Sequence, residues 1–264
     1  MADYETIRLE RDGDVAKITL DRPDRLNACP PHMADEIFSA MCNLGDARAL
    51  LITGEGRAFC SGADLAGRKD GGESAVSGGD RSYTVLRQSY NPMMEALWHL
   101  PIPVISAVRG PAAGIGCSIA LAADFVLAAK SGYFLQAFVN IGLVPDGGSS
   151  YVLPRLVGVA QASRMMMLGE RIHGEEAERI GLIYKCVEDD ALDAEAAALA
   201  EKLAAGPTVA LGRMKGNMRN SLESELPAAL GREADGQRVA GWTEDAKEGT
   251  TSFLEKRKAQ FKGR

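Results

Sequence analysis

The sequence predicts an α/β protein in which repeated strand–strand–helix units are followed by a helical C-terminal region. Strand and helix patterns alternate over the first two-thirds of the 264 residues, and helical patterns fill the remainder almost without interruption. Such alternation favours helices packed on a sheet around a shared apolar core. No repeat of fixed period is visible that would indicate a solenoid or a propeller.

The predicted strands begin with a β-hairpin. Thr6–Arg11 and Val15–Leu20 alternate apolar and polar residues on either side of Asp12-Gly13, a dipeptide typical of tight hairpin turns. The other strand predictions rest on short apolar runs, and they are Ala49–Thr53, Val104–Val108, Phe125–Ala129 and Tyr184–Val187, with an extended piece at Tyr133–Phe138.

Helices are predicted where apolar residues recur at the helical period. In the first two-thirds of the chain they are Pro31–Met41, Ser82–Leu100 with a kink at Pro92, and Gly114–Ala123. In the C-terminal region they are Ala160–Leu168, Gly174–Ile180, Leu192–Ala205, Pro207–Asn220, Leu226–Trp242 and Glu244–Phe261. The segment Gly67–Asp80 is rich in Gly, Ser and charge, which predicts a mobile surface loop.

The composition is typical of a soluble globular protein, since 46% of the residues are hydrophobic and 25% are charged. A net charge of −6 argues against a nucleic-acid-binding surface. The five scattered cysteines lack CxxC spacing and the N terminus lacks an apolar signal segment, so we expect a cytoplasmic protein with free thiols. Gly110–Ala129 contains Asp124, and we expect a buried helix and strand there rather than a membrane span.

Two loops of small residues are candidates for chemistry. Ser61-Gly62-Ala63-Asp64 and Gly114-Ile115-Gly116 each follow a strand and let a ligand approach the main chain closely. If the loops converge, two backbone N–H groups could bind one carbonyl oxygen as it becomes anionic. Taken singly, each loop is more typical of a tight turn between packed elements.

Asp146 ends a long stretch that is almost free of charge. It lies between Pro145 and two glycines, a string typical of a turn, and its carboxylate could also cap the next helix. The apolar residues before it, from Phe138 to Val144, instead predict a raised pKa, which suits an acid/base near neutral pH. The residues alone leave these interpretations open.

Cysteine and histidine offer no further site. Cys60 lies beside the first loop without a histidine near it in sequence, and we expect a buried, inert thiol. His32, His99 and His173 are far apart and none has a partner at metal-ligand spacing, so no metal site is expected.

Four motifs occur in order along the chain, and they are RPDRLNA at 22–28, GEGRAFCSGADL at 54–65, PAAGIGC at 111–117 and EGTTSFLEKR at 248–257. Together they resemble the enoyl-CoA hydratase/isomerase (crotonase) superfamily nearly from end to end. The resemblance implies a spiral core of β-β-α units over residues 1–200 and a helical oligomerisation region over 201–264. It also implies an acyl-CoA substrate, a homotrimer or dimer of trimers, and no cofactor, because coenzyme A is part of the substrate. Neither nucleic acid nor membrane is expected as a partner.

The resemblance also implies roles for individual residues. The amides of Ala63 and Ile115 match the family's oxyanion hole, where the middle residue of the second loop is often Gly, so Ile115 could narrow the acyl pocket. The residues implied to bind the CoA thioester are Arg25, Leu26, Ala28, Ser61, Asp64, Leu65 and Gly114, with Phe253 and Lys256 reaching a neighbouring subunit's CoA.

The departures from the family pattern bear on the activity. Hydratases of this family carry two glutamates that hold water, and those positions match Ser118 and Phe138, neither of which can act as an acid/base. Asp146 falls where a subset of isomerases has its single acid. We therefore expect an isomerase that moves a double bond or rearranges a ring epoxide in a CoA thioester. A hydratase or thioester hydrolase of the same superfamily, or a non-catalytic acyl-CoA-binding protein, are the alternatives.

Overall fold

Two sheets organise the residues that this computed structural model describes, 3–64 and 78–264. The strands are β1 Ile7–Asp12, β2 Val15–Leu20, β3 Ala49–Gly54, β4 Val104–Val108, β5 Pro111–Ala113, β6 Phe125–Ala129, β7 Tyr133–Leu135, β8 Arg171–His173 and β9 Lys185–Val187. The larger sheet has the order β1-β2-β3-β4-β6-β9, and its neighbouring strands are parallel except for the β1–β2 hairpin. The smaller sheet has the order β5-β7-β8.

Helices pack on both faces of the larger sheet and fill the C-terminal third of the chain. They are α1 Pro31–Cys42, α2 Gly78–Val85, α3 Asn91–His99, α4 Ile115–Leu121, α5 Ser149–Leu168, α6 Gly174–Arg179, α7 Leu192–Ala204, α8 Thr208–Ser221, α9 Leu226–Gly241 and α10 Glu244–Leu254. The predicted α/β class with a largely helical C-terminal region is confirmed. No helix of the described residues is long and apolar enough to cross a membrane.

The two faces of the larger sheet bury different side chains, because successive strand residues point to opposite sides. Leu50 and Ile52 of β3 join the main core, which also contains residues of α1, α3 and α4. Ala49 and Leu51 of the same strand join a second core, which α7 covers through residues such as Leu192. Burial on both faces explains why β3 reads as a continuous apolar run in the sequence.

The β-hairpin and the main parallel strands are confirmed. Asp12 pairs with Val15 across the turn, and β2, β3, β4 and β6 lie within one residue of their predicted bounds. The predicted extension of the strand at Tyr133 to Phe138 is wrong, because the chain leaves the smaller sheet after Leu135 and forms a 3-10 turn over Ala137–Ile141. No strand is predicted over Pro111–Ala113 or Arg171–His173, which form β5 and β8.

Several helix boundaries differ from prediction. The predicted kink near Pro92 is a π-helical turn over Leu86–Tyr90, which separates α2 from α3 and places the proline in the first turn of α3. The predicted helix Ala160–Leu168 is the second part of α5, which begins at Ser149 and is interrupted at Gly158, where φ is 73° and ψ is 164°. Helix α10 ends at Leu254, so the predicted continuation to Phe261 is wrong. Of the loop predicted over Gly67–Asp80, residues 67–77 lie outside the described residues and 78–80 begin α2.

A buried group of three charges joins α8 to the core. The carboxylate of Asp124, which follows α4, pairs with Lys215 and Arg219, each at 2.8 Å, and also accepts a hydrogen bond from the backbone N–H of Val104. Arg219 donates to the carbonyl oxygens of Trp98 and Ala122 as well. Burial lowers the pKa of Lys215 to about 8 even beside this carboxylate. The single anion therefore offsets two poorly solvated cations.

We predict that Asp124→Asn destabilises the protein. The change leaves Lys215 and Arg219 buried without a counter-charge, and removing one partner of a buried ion pair typically costs about 3 kcal/mol or more of unfolding free energy. The matched control is Asp235→Asn, which breaks an ion pair with Arg238 whose side chains are 69% and 72% exposed. Its expected cost is below about 1 kcal/mol. Urea unfolding measures both variants, and equal costs would show that the buried group does not hold α8 to the core.

Candidate active site

Backbone pairing fixes the first candidate loop between two neighbours. On one side, the N–H of Cys60 donates to Pro111 O of β5 at 3.0 Å, and the Ala113 N–H donates back to Cys60 O at 2.9 Å. On the other side, the Cys29 N–H donates to Gly62 O and the Asp64 N–H donates to Cys29 O. In this parallel pattern the residue between Gly62 and Asp64 directs its own N–H away from Cys29. The amide of Ala63 is thus turned toward the side on which β5 lies.

The second loop meets the first at two glycines. Gly114, with a φ of 52° and a ψ of −126°, joins β5 to α4 in a conformation open mainly to glycine. A Cβ atom on Gly114 would lie 3.7 Å from the Cα of Gly62 and 3.6 Å from the ring of Phe138. Ile115 begins α4, so its N–H belongs to the first turn, which lacks intrahelical acceptors. The two loops therefore converge, as the oxyanion-hole hypothesis requires.

The Asp146 carboxylate is partly enclosed and poorly solvated. Its Oδ1 atom is buried without a hydrogen-bond partner among the described residues. Burial raises the pKa of Asp146 to about 6. Its backbone carbonyl accepts hydrogen bonds from the Ser149 N–H and from the Ser118 hydroxyl, each at 3.1 Å. Gly148 is the N-cap residue of α5 and no side chain caps that helix, so the helix-cap interpretation of Asp146 is wrong while the turn is confirmed.

Burial raises the pKa of Asp146, as predicted, but of the apolar residues named for this effect only Phe138 is itself buried. Val139, Ile141, Leu143 and Val144, expected to surround the carboxylate, are all at least 39% exposed in the single chain. Instead the turn packs on the buried helix α4. A Cβ atom on Gly147 would lie 2.6 Å from the Ile115 side chain and 2.7 Å from Ser118 Cβ.

Ser118 and Phe138 both lie at this site. The buried Ser118 hydroxyl is 2.8 Å from Ser149 Oγ as well as donating to the Asp146 carbonyl, so it links α4 to the start of α5. Phe138 is buried with its ring beside Gly114. Neither side chain titrates, and Asp146 is left as the carboxylate of this turn.

The predicted CoA-side residues divide into three groups. Arg25 and Leu26 lie beside the first loop, since the Ser61 N–H donates to Leu26 O at 3.0 Å and the Ser61 hydroxyl approaches Arg25 O at 3.4 Å. Asp64 pairs with Arg22 at 2.8 Å, and Arg22 also donates to Ala28 O. This ion pair ties the first loop to the segment at residues 22–28, a positioning role that the sequence did not indicate. Leu65 lies outside the described residues.

Phe253 and Lys256 are not joined to this site within one chain. The Phe253 side chain is 82% exposed on α10, and Lys256 follows that helix with a φ of 53°. In the described part of the chain, Lys256 forms no ion pair with either site loop. Their predicted contact with a neighbouring subunit's CoA therefore stays a prediction.

Sequence reasoning missed two polar groups that build the site. The Tyr90 hydroxyl donates to Cys29 O at 2.6 Å and fixes the start of α3 beside the first loop. The Ser118–Ser149 hydroxyl pair supports the Asp146 turn. A serine within the apolar stretch that forms α4 was a usable signal, because a buried hydroxyl needs a partner.

Cys60 is enclosed, as predicted. Burial raises its pKa to about 11, which leaves little nucleophilic thiolate at neutral pH. Among residues 3–64 and 78–264, no three His, Cys, Asp or Glu side chains cluster as metal ligands would.

Comparison with known proteins finds similar sequences and a similar fold over nearly the whole chain. The model of the family "Enoyl-CoA hydratase/isomerase" matches residues 10–264. A probable enoyl-CoA hydratase of Rhodobacter capsulatus is 45% identical over 99% of both chains. A 1,2-epoxyphenylacetyl-CoA isomerase of Escherichia coli is 39% identical over 95% of both. The crystal structure of a putative enoyl-CoA hydratase from Streptomyces coelicolor has a TM-score of 0.91 at 36% identity, covering 100% of this chain and 96% of that one.

We predict that Asp146→Asn stabilises the protein in a pH-dependent way. The pKa of Asp146 rises from 3.8 to about 6 on folding. At a pH where the carboxyl group is protonated in both the folded and the unfolded chain, its burial therefore adds no charge-related cost to the free energy of folding. The wild-type chain therefore loses stability as the pH rises from about 4 to 6, up to roughly 3 kcal/mol, and the neutral amide does not. Urea unfolding at pH 4 and pH 7 tests this, with exposed Asp190→Asn as the control. A variant no more stable than wild type at pH 7 would contradict the assigned burial.

We also predict that Gly147→Ala costs more stability than Gly148→Ala. Both residues have a positive φ, 59° and 82°, so both changes introduce comparable backbone strain of about 1 kcal/mol. Only Gly147 has neighbours closer than 3 Å to the added Cβ, since nothing lies within 4 Å at Gly148. Overpacking adds roughly 1 to 3 kcal/mol at Gly147. Unfolding free energies measure the difference, and equal costs would mean that the turn is not pressed against α4.

Proposed function

This chain belongs to the enoyl-CoA hydratase/isomerase family, and we propose that within it the protein is an acyl-CoA isomerase with Asp146 as its single acid/base. The observation that carries the proposal is the buried, unpaired carboxylate oxygen of Asp146 beside two non-titrating residues, Ser118 and Phe138. A pKa of about 6 leaves this carboxylate ionised at neutral pH yet easily protonated.

The amides of Ala63 and Ile115 would bind the thioester oxygen. In a 3-enoyl thioester, Asp146 removes a proton from C2, and the electron pair delocalises onto the thioester oxygen as a dienolate. The same carboxylic acid then returns the proton to C4, which leaves the double bond between C2 and C3. A preorganised amide donor of this type typically contributes about 3 kcal/mol of transition-state stabilisation.

One carboxylate suffices for this reaction because no water is consumed. Hydration needs one group to hold and deprotonate water and another to protonate carbon. At this site the Ser118 hydroxyl is engaged with the Asp146 carbonyl and Ser149, and Phe138 presents a ring. These side chains favour proton transfer over water addition.

A ring epoxide is the second substrate type that this site would accept. The Escherichia coli relative, a 1,2-epoxyphenylacetyl-CoA isomerase at 39% identity, supports it. The same two amides would polarise the thioester while Asp146 assists ring opening.

The oligomer proposed is a homotrimer or a dimer of trimers built through residues 201–264. Large apolar side chains are exposed along α8, α9 and α10, and they are Met214, Met218, Leu222, Leu226, Leu230, Phe253 and Leu254. Large apolar side chains exposed on three successive helices support a protein–protein contact in this region.

The test of function is a paired spectroscopic assay. Purified protein given a 3-enoyl-CoA should produce the absorbance of a conjugated 2-enoyl thioester, and Asp146→Asn should reduce kcat at least about a hundredfold, since a positioned acid/base contributes that much. The value of kcat/KM should fall as the pH drops below about 6, because the base must be ionised.

A second cuvette with a 2-enoyl-CoA separates the alternatives. Loss of the conjugated absorbance with formation of a hydroxyacyl-CoA would identify a hydratase and contradict the proposed mechanism. Release of free CoA would identify a thioester hydrolase. Binding without turnover of either enoyl thioester or of a ring epoxide would identify a non-catalytic acyl-CoA-binding protein.

A further inference from the structure

A cavity of about 470 Å³ lies beyond Asp146, between α3 and α5. One wall begins at Gly147 and Gly148, directly after the proposed acid/base, and continues to Tyr151 and Val152. Opposite them are Met94 and Trp98 of α3. A thioester whose reacting carbons lie at Asp146 would direct the far end of its acyl group into this space.

The α3 wall is tied to the other half of the site. The Tyr90 hydroxyl bonds Cys29 O, and Cys29 flanks the strand that carries Ala63. Asn91, the next residue, already lines the cavity. The cavity therefore adjoins the Asp146 turn at Gly147 and Gly148, and its α3 wall is tied to the first loop through Tyr90 and Cys29.

The deeper lining is aromatic and held in place before any ligand binds. The rings of Trp98 and Tyr151 meet edge to face, with centroids 5.7 Å apart and planes at 87°. The Arg219 guanidinium lies 3.9 Å from the centre of the Trp98 ring, and Asp124 fixes Arg219. Arg155 lies 3.7 Å from the centre of the Tyr151 ring. Because these rings are already ordered, a ligand ring would meet them at little entropic cost.

The outer rim of the cavity is acidic. Glu95 and Glu223 are exposed there beside His99 and Asn220. Arg219, the cation in the lining, is already paired with Asp124. The other nearby guanidinium group among the described residues, Arg155, lies 4.0 Å from Glu223. An acyl group ending in a carboxylate would therefore meet the like charge of Glu95, and both guanidinium groups beside the cavity already have carboxylate partners.

We infer that this cavity selects acyl groups that end in a neutral ring over linear chains of equal carbon number and over chains ending in a carboxylate. The inference rests on the proposed acyl-CoA substrate and adds the class of its acyl group. Aromatic pairs gain attraction beyond the area they bury, which corresponds to about a threefold to tenfold preference in affinity.

The experiment compares unreactive thioesters, so it does not depend on turnover. Phenylacetyl-CoA and octanoyl-CoA each carry eight acyl carbons, while adipyl-CoA and hexanoyl-CoA differ in a terminal carboxylate. Calorimetry with the wild-type protein should show phenylacetyl-CoA binding at least about threefold tighter than octanoyl-CoA. Adipyl-CoA should bind more weakly than hexanoyl-CoA, since its terminal carboxylate would lie near the like charges of Glu95 and Glu223 at the rim. Equal or reversed ranking in either pair would overturn the inference.

Trp98→Leu localises the effect. It should weaken phenylacetyl-CoA binding about tenfold, in the range of losses for buried aromatic anchors, and leave acetyl-CoA binding unchanged. The matched control is Trp242→Leu, because that tryptophan is 87% exposed and lies outside the cavity. An equal loss for acetyl-CoA would overturn the assignment of Trp98 to the distal pocket.

The outcomes separate this inference from the proposed function. If the thioesters bind in the predicted order of affinity but no isomerase activity is found, the assignment of the pocket stands and the proposed isomerase function is rejected. Isomerase activity with octanoyl-CoA bound more tightly than phenylacetyl-CoA would reject the pocket assignment alone.

Discussion

The site depends on the backbone of one short segment that hydrogen-bonds on both sides. Cys60 pairs with β5, and the residues around Ala63 pair with Cys29. A loop segment that is hydrogen-bonded to a neighbour on each side has little freedom to rotate, so the direction of the Ala63 amide follows from backbone pairing rather than from any side chain. The same pairing brings Gly62 against Gly114, where an added Cβ would lie 3.7 Å from the facing Cα atom. The proposed carbonyl site thus uses main-chain donors whose position is set by sheet formation, which suits preorganised catalysis.

Asp146 adds a feature that runs against stability. Its Oδ1 atom is buried without a hydrogen bond in the part of the chain that the structure describes, and burial raises its pKa to about 6. Structural carboxylates such as Asp124 are instead surrounded by cations and backbone donors. The two aspartates thus differ in environment, since Asp124 joins helices through ion pairs while Asp146 has the poorly solvated carboxylate that the proposed proton transfer needs.

The sequence predicted those parts that depend on local pattern. The hairpin, the parallel strands and the small-residue loops have signatures in apolar alternation and glycine placement. The predicted bounds of the hairpin and of the parallel strands of the larger sheet lie within one residue of the observed bounds. Features that depend on non-local contacts were missed. Strand β5 is only three residues long and exists because Cys60 and β7 pair with it. The packing of Gly147 on α4, and the cavity between α3 and α5, join segments far apart in sequence and leave no periodic signal.

Ser118 connects the choice of chemistry to the shape of the site. The resemblance to the family implies a glutamate at this position in the water-adding enzymes, but here the Ser118 hydroxyl bonds the Asp146 carbonyl and the Ser149 hydroxyl. Under the proposed function, the residue that stands in place of one acid therefore also supports the turn that carries another. A longer side chain at this position would meet Gly147, whose space is already closed by Ser118 Cβ and Ile115. If the proposed function holds, a change from proton transfer to water addition through a longer acid at position 118 would require the turn at Asp146 to move as well, because Gly147 and Ser118 share one packed contact.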